Sequence, residues 1–152
     1  MLVIKGSQLD FESCLSIARE LPLYFTEPGI VAMRRDLQEH QIYLATYSDQ
    51  VVGFASINPK NSQVAEISWM AVMPGRQHQG VGTLLINHIA GELKETGVRL
   101  LEVKTLAADV EYAPYELTRH FYERRGFVHL ETIDPYPEWE PGNPCAIYIK
   151  IM

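Results

Sequence analysis

Between Val72 and Leu85 the chain reads Val-Met-Pro-Gly-Arg-Gln-His-Gln-Gly-Val-Gly-Thr-Leu-Leu, a polar, glycine-containing turn that joins a strand-like run to a helix-like one. Glycines let a backbone come close to a ligand, and the free amides at a helix N-terminus receive phosphate oxygens. Gln77, His78, Gln79, Gly80, Val81, Gly82 and Thr83 are therefore candidates to hold a pyrophosphate. Two common phosphate loops are excluded by spacing. The Lys-Ser/Thr pair of the Gly-x-x-x-x-Gly-Lys-Ser/Thr loop is missing, and Gly80-Val81-Gly82 continues as Thr83-Leu84-Leu85 rather than x-x-Gly. A Gly-x-Gly by itself equally suits a tight strand-to-helix turn. Glu66 and Glu102 lie in strand-like runs and Tyr122 in a helical one. Alternation would equally allow each carboxylate on a solvated face, and Tyr122 stands among packing aromatics.

The elements that must position these groups follow from the apolar pattern. Residues 2–5 read as a strand. Residues 8–21 read as a helix, with Phe11, Leu15, Ala18 and Leu21 at steps of three and four. Pro22 and Pro28-Gly29 break that region, and a second helix is expected over 30–39. Residues 42–47 and 51–57 form a hairpin through Ser48-Asp49-Gln50, and a further strand covers 64–73. A helix then begins near Gly80 and stops at Gly97, followed by a strand over 100–106, a helix over about 114–125, and strands at 127–133 and 145–151. The order β-α-α-β-β-β-α-β-α-β-β mixes hairpins with crossover helices. It predicts an α/β (α+β) fold with a single mixed, mostly antiparallel sheet flanked by helices, in one domain over residues 1–152.

The phosphate-loop segment Gln77-x-x-Gly80-x-Gly82, preceded by Ala71-Val72-x-Pro74, resembles the Gln/Arg-x-x-Gly-x-Gly/Ala signature of the GNAT acyltransferase superfamily. Phe121-Tyr122-Glu123-Arg124-Arg125-Gly126-Phe127 resembles the same family's segment at its last helix and following strand. The resemblance covers nearly the whole chain. It implies an N-acetyltransferase that moves the acetyl group of acetyl-CoA directly to a primary amine, without an acyl-enzyme or a metal. The sheet would splay between the strands at 64–73 and 100–106 to take the pantetheine. Met70, Ala71 and Val72 would pair with its amides and supply an oxyanion donor, and residues 77–83 would hold the pyrophosphate. Tyr122 falls on the motif tyrosine and becomes the acid for the departing thiolate. Glu66 resembles the base of histone-type acetyltransferases, which acts through a water. Glu102 resembles that of ribosomal-protein N-terminal acetyltransferases, and ordered waters alone are a third route. Relatives often carry Asn-x-x-Ala before the tyrosine. Here those positions are Tyr115 and Thr118, so Tyr115 or Thr118 would take over the coenzyme contact of the asparagine.

The 47% apolar and 21% charged composition is that of an ordinary globular domain. No apolar run approaches the ~20 residues of a membrane span, so a cytoplasmic protein is expected. Cys14 and Cys145 match no metal or redox spacing and read as reduced, buried residues. The net charge of −6 argues against nucleic-acid binding. Most of it falls between residues 109 and 140, where eight acidic residues face three arginines, an arrangement that suits an amine acceptor, either a small molecule or a peptide. Tyr24, Phe25, Trp69, Tyr136 and Trp139 are candidates for the acceptor pocket, while His120 and His129 read as surface or packing residues. The alternatives are an acyl-CoA sensor without turnover and a structural subunit. Analogy with relatives also raises a homodimer that exchanges the last strand.

Overall fold

The computed structural model describes residues 1–152. Seven strands and four helices follow one another as β1 (Leu2–Lys5), α1 (Phe11–Arg19), α2 (Glu27–Leu37), β2 (Gln41–Tyr47), β3 (Gln50–Pro59), β4 (Val64–Val72), α3 (Val81–Glu95), β5 (Leu100–Leu106), α4 (Ala113–Arg124), β6 (Val128–Ile133) and β7 (Cys145–Ile151). The order of types is the one the sequence pattern implies. The strands form a single sheet, β1-β2-β3-β4-β5-β7-β6. Every neighbouring pair is antiparallel except β4 with β5.

Local chemistry moves several boundaries. The expected helix over 8–21 is a 3-10 turn at Gln8–Asp10 followed by α1. Ser7 caps the turn reciprocally: its Oγ accepts from the Leu9 amide and Asp10 Oδ2 accepts from the Ser7 amide. The expected helix over 30–39 begins at Glu27 instead. Thr26 Oγ1 accepts from the Gly29 amide at 3.3 Å, and Pro28 lies in the first turn, where a missing N–H costs nothing. Pro28-Gly29 thus opens α2 rather than breaking the chain. The β2–β3 connection is shorter than expected. Tyr47 pairs with Gln50, so the turn is Ser48-Asp49 alone, with φ of +48° and +63°. Positive φ at both positions matches the twist of the flanking strands.

Each face of the sheet has its own core. Val81, Leu85, Ile86 and Ile89 of α3 bury against Val52, Leu101, Val103 and Tyr148, with Tyr122 of α4 in the same cluster. On the opposite face Leu15, Ile17, Met33 and Leu37 of α1 and α2 pack on Ile42, Leu44, Phe54 and Ala71. Cys14 and Cys145 are fully buried and free, as their spacing suggested. Burial pushes their thiols up to about 12 and about 11, so neither is a thiolate at neutral pH. No helix is long and apolar enough to cross a membrane.

The sheet opens where its one parallel pair ends. Pairing between β4 and β5 runs only from Val64–Leu100 to Ile67–Val103. Beyond that point β4 continues to Val72 paired only to β3, and β5 continues to Leu106 paired only to β7. A register shift between Ser56 and Ile57 leaves Ser68 unopposed on β4 just where the two strands part. The inner edges of Ser68–Val72 and Lys104–Leu106 are therefore unpaired with each other and border a wedge inside the molecule, the place where an added strand would go.

Candidate functional site

One wall of the wedge leads into the head of α3. The chain leaves β4 through a 3-10 turn at Pro74–Arg76, and Gln77 Nε2 donates to the Val72 carbonyl at 3.2 Å. His78 and Gly80 both take positive φ, +62° and +85°, and turn the chain into the helix. The first intrahelical bond there is from the Leu84 amide to the Gly80 carbonyl at 2.9 Å, and no side chain caps the end. The amides of Val81, Gly82 and Thr83 are therefore left for an anion, with the positive end of the helix dipole behind them. A Cβ on Gly80 would meet nothing within 4 Å, so open space lies over this end. Gly82 carries a packing constraint besides the amide it offers. A Cβ there would sit 2.8 Å from the Phe121 ring, so Gly82 lets α4 close on α3.

α4 packs against β5, the other border of the wedge. Tyr122 is 8% exposed and wedged against the edges of Phe121 and Phe127, with ring centroids 5.3 Å and 5.2 Å away. Burial, with a smaller contribution from Tyr115, pushes its phenol well above the ordinary tyrosine range. It is therefore a neutral hydroxyl, able to donate. Arg125, one turn further on, donates from Nε to Thr83 Oγ1 at 2.8 Å and stacks over the Phe121 ring at 3.7 Å. It brings a cation to the first turn of α3.

Tyr115, the residue at the asparagine position of the resemblance, is engaged with the protein. Its hydroxyl donates to the Tyr24 carbonyl at 3.0 Å, and burial raises its phenol to about 12. Two more tyrosines complete a clasp between the α1–α2 connection and the start of α4. The Tyr112 hydroxyl donates to the Leu23 carbonyl at 2.6 Å and that of Tyr24 to the Pro114 carbonyl at 3.2 Å. The rings continue from Tyr115 to Tyr24, Phe25 and Trp69, whose indole N–H is fixed by Asp36 Oδ2 at 2.8 Å. Tyr24, Phe25 and Trp69, expected together, do form one aromatic wall.

Glu66 and Glu102 are direct cross-strand neighbours at the closed end of the wedge. Two like charges opposite each other on adjacent strands repel. Two lysines answer them. Lys104 Nζ lies 2.9 Å from Glu66 Oε2 and 3.5 Å from Glu102 Oε1, and Lys60 Nζ lies 3.6 Å and 4.0 Å from the Oε1 atoms of the same pair. Glu66 is 7% exposed, and Glu102 Oε1 is buried with no hydrogen-bond partner. Burial works against the Lys104 ammonium, but its hydrogen bond and attraction to Glu66 more than offset this and hold it charged far into the alkaline range. Above the cluster Lys104 Nζ faces the Tyr136 ring at 5.4 Å, and Tyr136 packs edge-on against Trp139. This places the two aromatics of the β6–β7 connection beside the carboxylates.

Lys104, Lys60 and Arg125 join the site without belonging to the residues that the sequence singles out for it. Lys104 was readable in principle, because alternation in Leu101-Glu102-Val103-Lys104 puts it on the same face as Glu102. Nothing local to Lys60 or Arg125 announces their partners, which lie across the fold. The acidic residues of 109–140 are more scattered than expected. Asp109, Glu111, Glu116 and Glu123 line a separate cleft beside α4, away from the Glu66–Glu102 pair.

Comparison with known proteins agrees with this geometry. Residues 11–127 match the model of the acetyltransferase (GNAT) family. An uncharacterized N-acetyltransferase of Chlorobaculum tepidum is 28% identical over 123 residues, which are 77% of this chain and 72% of that one. A protein described as an acetyltransferase of the GNAT family from Desulfovibrio desulfuricans superposes with a TM-score of 0.84 at 24% identity, covering 99% of each chain. A GNAT family acetyltransferase from Elizabethkingia anophelis, solved with acetyl-CoA bound, superposes with a TM-score of 0.74 at 19% identity, covering 99% of this chain and 97% of that one.

Proposed function

The chain belongs to the acetyltransferase (GNAT) family, and we propose that it transfers the acetyl group of acetyl-CoA directly to a primary amine of a small molecule or peptide. The observation that carries this reading is the wedge between β4 and β5, opening beside the uncapped head of α3. The free amides of residues 81–83, with Gln77, His78, Gln79 and Gly80 shaping the turn, suit a pyrophosphate. The inner edge of β4 at Met70, Ala71 and Val72 suits an amide-bearing arm, which would bond to it as an added strand does. A backbone amide of that edge is also the donor for the oxyanion that forms when the amine attacks.

In the reaction the amine nitrogen attacks the thioester carbonyl carbon, the carbon–sulfur bond breaks, and the nitrogen loses a proton. Tyr122 supplies a proton to the leaving thiolate, a role its neutral, buried phenol supports. For the amine's proton Glu66 and Glu102 both stand at the closed end of the wedge. Glu66 Oε1 has only Lys60 at 3.6 Å and Glu102 Oε1 has no hydrogen-bond partner, so either can accept from the acceptor nitrogen or an intervening water, and Glu66 is the first to test. Two carboxylates and two ammonium groups balance in charge. The acceptor is then chosen by direct pairing with Glu66 and by the aromatic walls, rather than by a broad negative field.

The test is release of free thiol from acetyl-CoA over a panel of polyamines, amino acids, amino sugars and short peptides. Acceptor-dependent release, with one class far ahead, is the expected outcome. Saturable binding of acetyl-CoA with no release on any amine would overturn the reading.

A further inference from the structure

The register shift that frees Ser68 on β4 also surrounds its hydroxyl with polar partners. Ser56 Oγ lies 2.7 Å away and His40 Nδ1 2.9 Å, while the Ser56 carbonyl stands further off at 3.3 Å. Ser56 is fully buried and its hydroxyl has no other partner, so it must donate to Ser68 Oγ. The Ser68 proton then goes to its nearest remaining acceptor, His40 Nδ1. A serine oxygen has two lone pairs, and only one of them is used by Ser56. The other is open, on a half-buried residue that is the first on β4 beyond the last β4–β5 pair. Ser56 and Asn58 lie two apart on β3, so Ser68, bonded to Ser56, and Glu66, paired with Asn58, share one face of the sheet. At the far end the half-buried His40 ring lines an open cleft of about 290 Å3, with Ser7, Gln8, Phe11 and Gln41 and no other charged group. The carboxylates of the elements around the ring are engaged elsewhere or exposed. Asp36 of α2 accepts from Trp69 Nε1, Asp10 from the Ser7 amide, Glu66 of β4 is held by Lys104 and Lys60, and Glu39 lies on the surface.

We propose that Ser68 and His40 form a proton path from the acceptor nitrogen in the wedge to solvent, with Ser68 touching the amine and His40 acting through it. The path rests on the reading that an amine is acetylated in the wedge. A primary amine is an ammonium at neutral pH and sheds two protons per turnover, one before attack and one after the nitrogen–carbon bond forms. The departing thiolate takes up one, by way of Tyr122, and the other has to reach water. A proton held on Glu66 or Glu102 has only Lys60 and Lys104 as close charged neighbours, and an ammonium cannot accept it. Ser68 offers a way out. The ammonium N–H bond breaks as its proton joins the open lone pair of Ser68 Oγ, and the Ser68 O–H bond breaks as that proton joins His40 Nδ1. The imidazolium then releases a proton to water in the cleft. Ser56 donates to Ser68 throughout and holds its oxygen in place.

The experiment is thiol release from acetyl-CoA across pH, with the amine that leads the panel of polyamines, amino acids, amino sugars and short peptides, for the native chain, His40→Gln and Glu66→Gln. Native kcat should fall on the acid side, as the ring takes up its own proton and can no longer accept one. His40→Gln should lower kcat by about tenfold or more with the KM for acetyl-CoA unchanged, and should lose that acid limb, whereas Glu66→Gln keeps it. Glutamine still hydrogen-bonds to Ser68, so a purely structural role would leave both kcat and the profile as they were. His40→Ala opens the cleft towards Ser68 and should regain activity several-fold with imidazole in solution, in proportion to the free base. Should the alanine variant fail to fold, the glutamine profile decides alone. Native kcat and acid limb in His40→Gln, loss of that limb in Glu66→Gln instead, or a folded His40→Ala that ignores imidazole would each overturn the path and leave the transfer reading standing. Thiol release by the native chain on no amine at all overturns both.

Discussion

Lys104 Nζ bridges Glu66 Oε2 at 2.9 Å and Glu102 Oε1 at 3.5 Å, so one ammonium holds together two carboxylates that the β4–β5 register sets directly opposite each other. Lys104 is itself the first β5 residue beyond the last β4–β5 pair, where the wedge opens. The lysine thus pins the closed end of the wedge and also sets the charge around the proposed acceptor nitrogen.

Lys104→Met should therefore cost more than an ordinary ion pair. It leaves two carboxylates facing each other with only the looser Lys60 for company, a loss of about 2–3 kcal/mol at neutral pH by urea denaturation. The folded-state pKa of Lys104 lies above the ordinary lysine value of 10.5, so its contribution is fully present below that value. It is lost as pH rises through the raised, folded-state value. The stability gap between the native chain and Lys104→Met should stay level up to about pH 10 and close only above it. A gap that closes near neutrality would contradict this ion-pair assignment.

Tyr122→Phe should lower turnover by about 10²-fold with little change in acetyl-CoA affinity, as expected for a proton donor used only in the transition state. Because burial favours the neutral phenol, the donor stays protonated throughout the neutral range. Any alkaline limb in kcat below about pH 10 must then come from another group. Unchanged turnover in the phenylalanine variant would leave Tyr122 as a packing residue between Phe121 and Phe127.

The two motif glycines should separate in their behaviour. Gly82→Ala places a methyl 2.8 Å from the Phe121 ring and forces α3 and α4 apart, at about 1–3 kcal/mol. Gly80→Ala meets no neighbour but holds a left-handed φ of +85°, at about 1–2 kcal/mol. Only Gly80 borders the open space over the free amides, so Gly80→Val should weaken acetyl-CoA binding beyond its effect on melting temperature. Gly82→Ala should lower the melting temperature with a smaller loss of affinity. Equal losses of affinity in the two would count against the phosphate role of this turn.

These glycines also show what the sequence could carry and what it could not. Spacing puts both in one ligand loop, but it does not report that Gly82 also lets the Phe121 ring approach. The elements themselves were legible, since strands such as Leu100–Leu106 and Cys145–Ile151 announce themselves by apolar runs between turn residues. Boundaries slipped where a cap outweighed a helix breaker, as at Thr26-Glu27-Pro28. The sequence alone makes Glu66 and Glu102 rivals for one role. Their adjacency is a matter of register between strands 36 positions apart, and no local pattern reports it. The partners Lys60 and Arg125 are likewise products of tertiary packing.

The tyrosine clasp gives the last prediction. Three phenol hydroxyls, on Tyr24, Tyr112 and Tyr115, donate to backbone carbonyls across some 90 positions of sequence, and together they tie the α1–α2 connection to the start of α4. Each bond is worth only about 1 kcal/mol, so Tyr112→Phe with Tyr115→Phe should cost about 2 kcal/mol if the clasp opens only when the whole domain unfolds. The segment from Leu21 to Thr26 lies outside regular structure, however, and its ring contacts run through Phe25 to Trp69 alone on the sheet side. Local opening therefore needs far less than global unfolding. The double variant should lose amide-exchange protection in 21–26 and 108–115 by about tenfold or more, while the amides of β2, β3 and α3 keep theirs up to the change in global stability. Uniform loss over the whole chain would mean that the clasp is part of the cooperative core and not a strap that opens on its own.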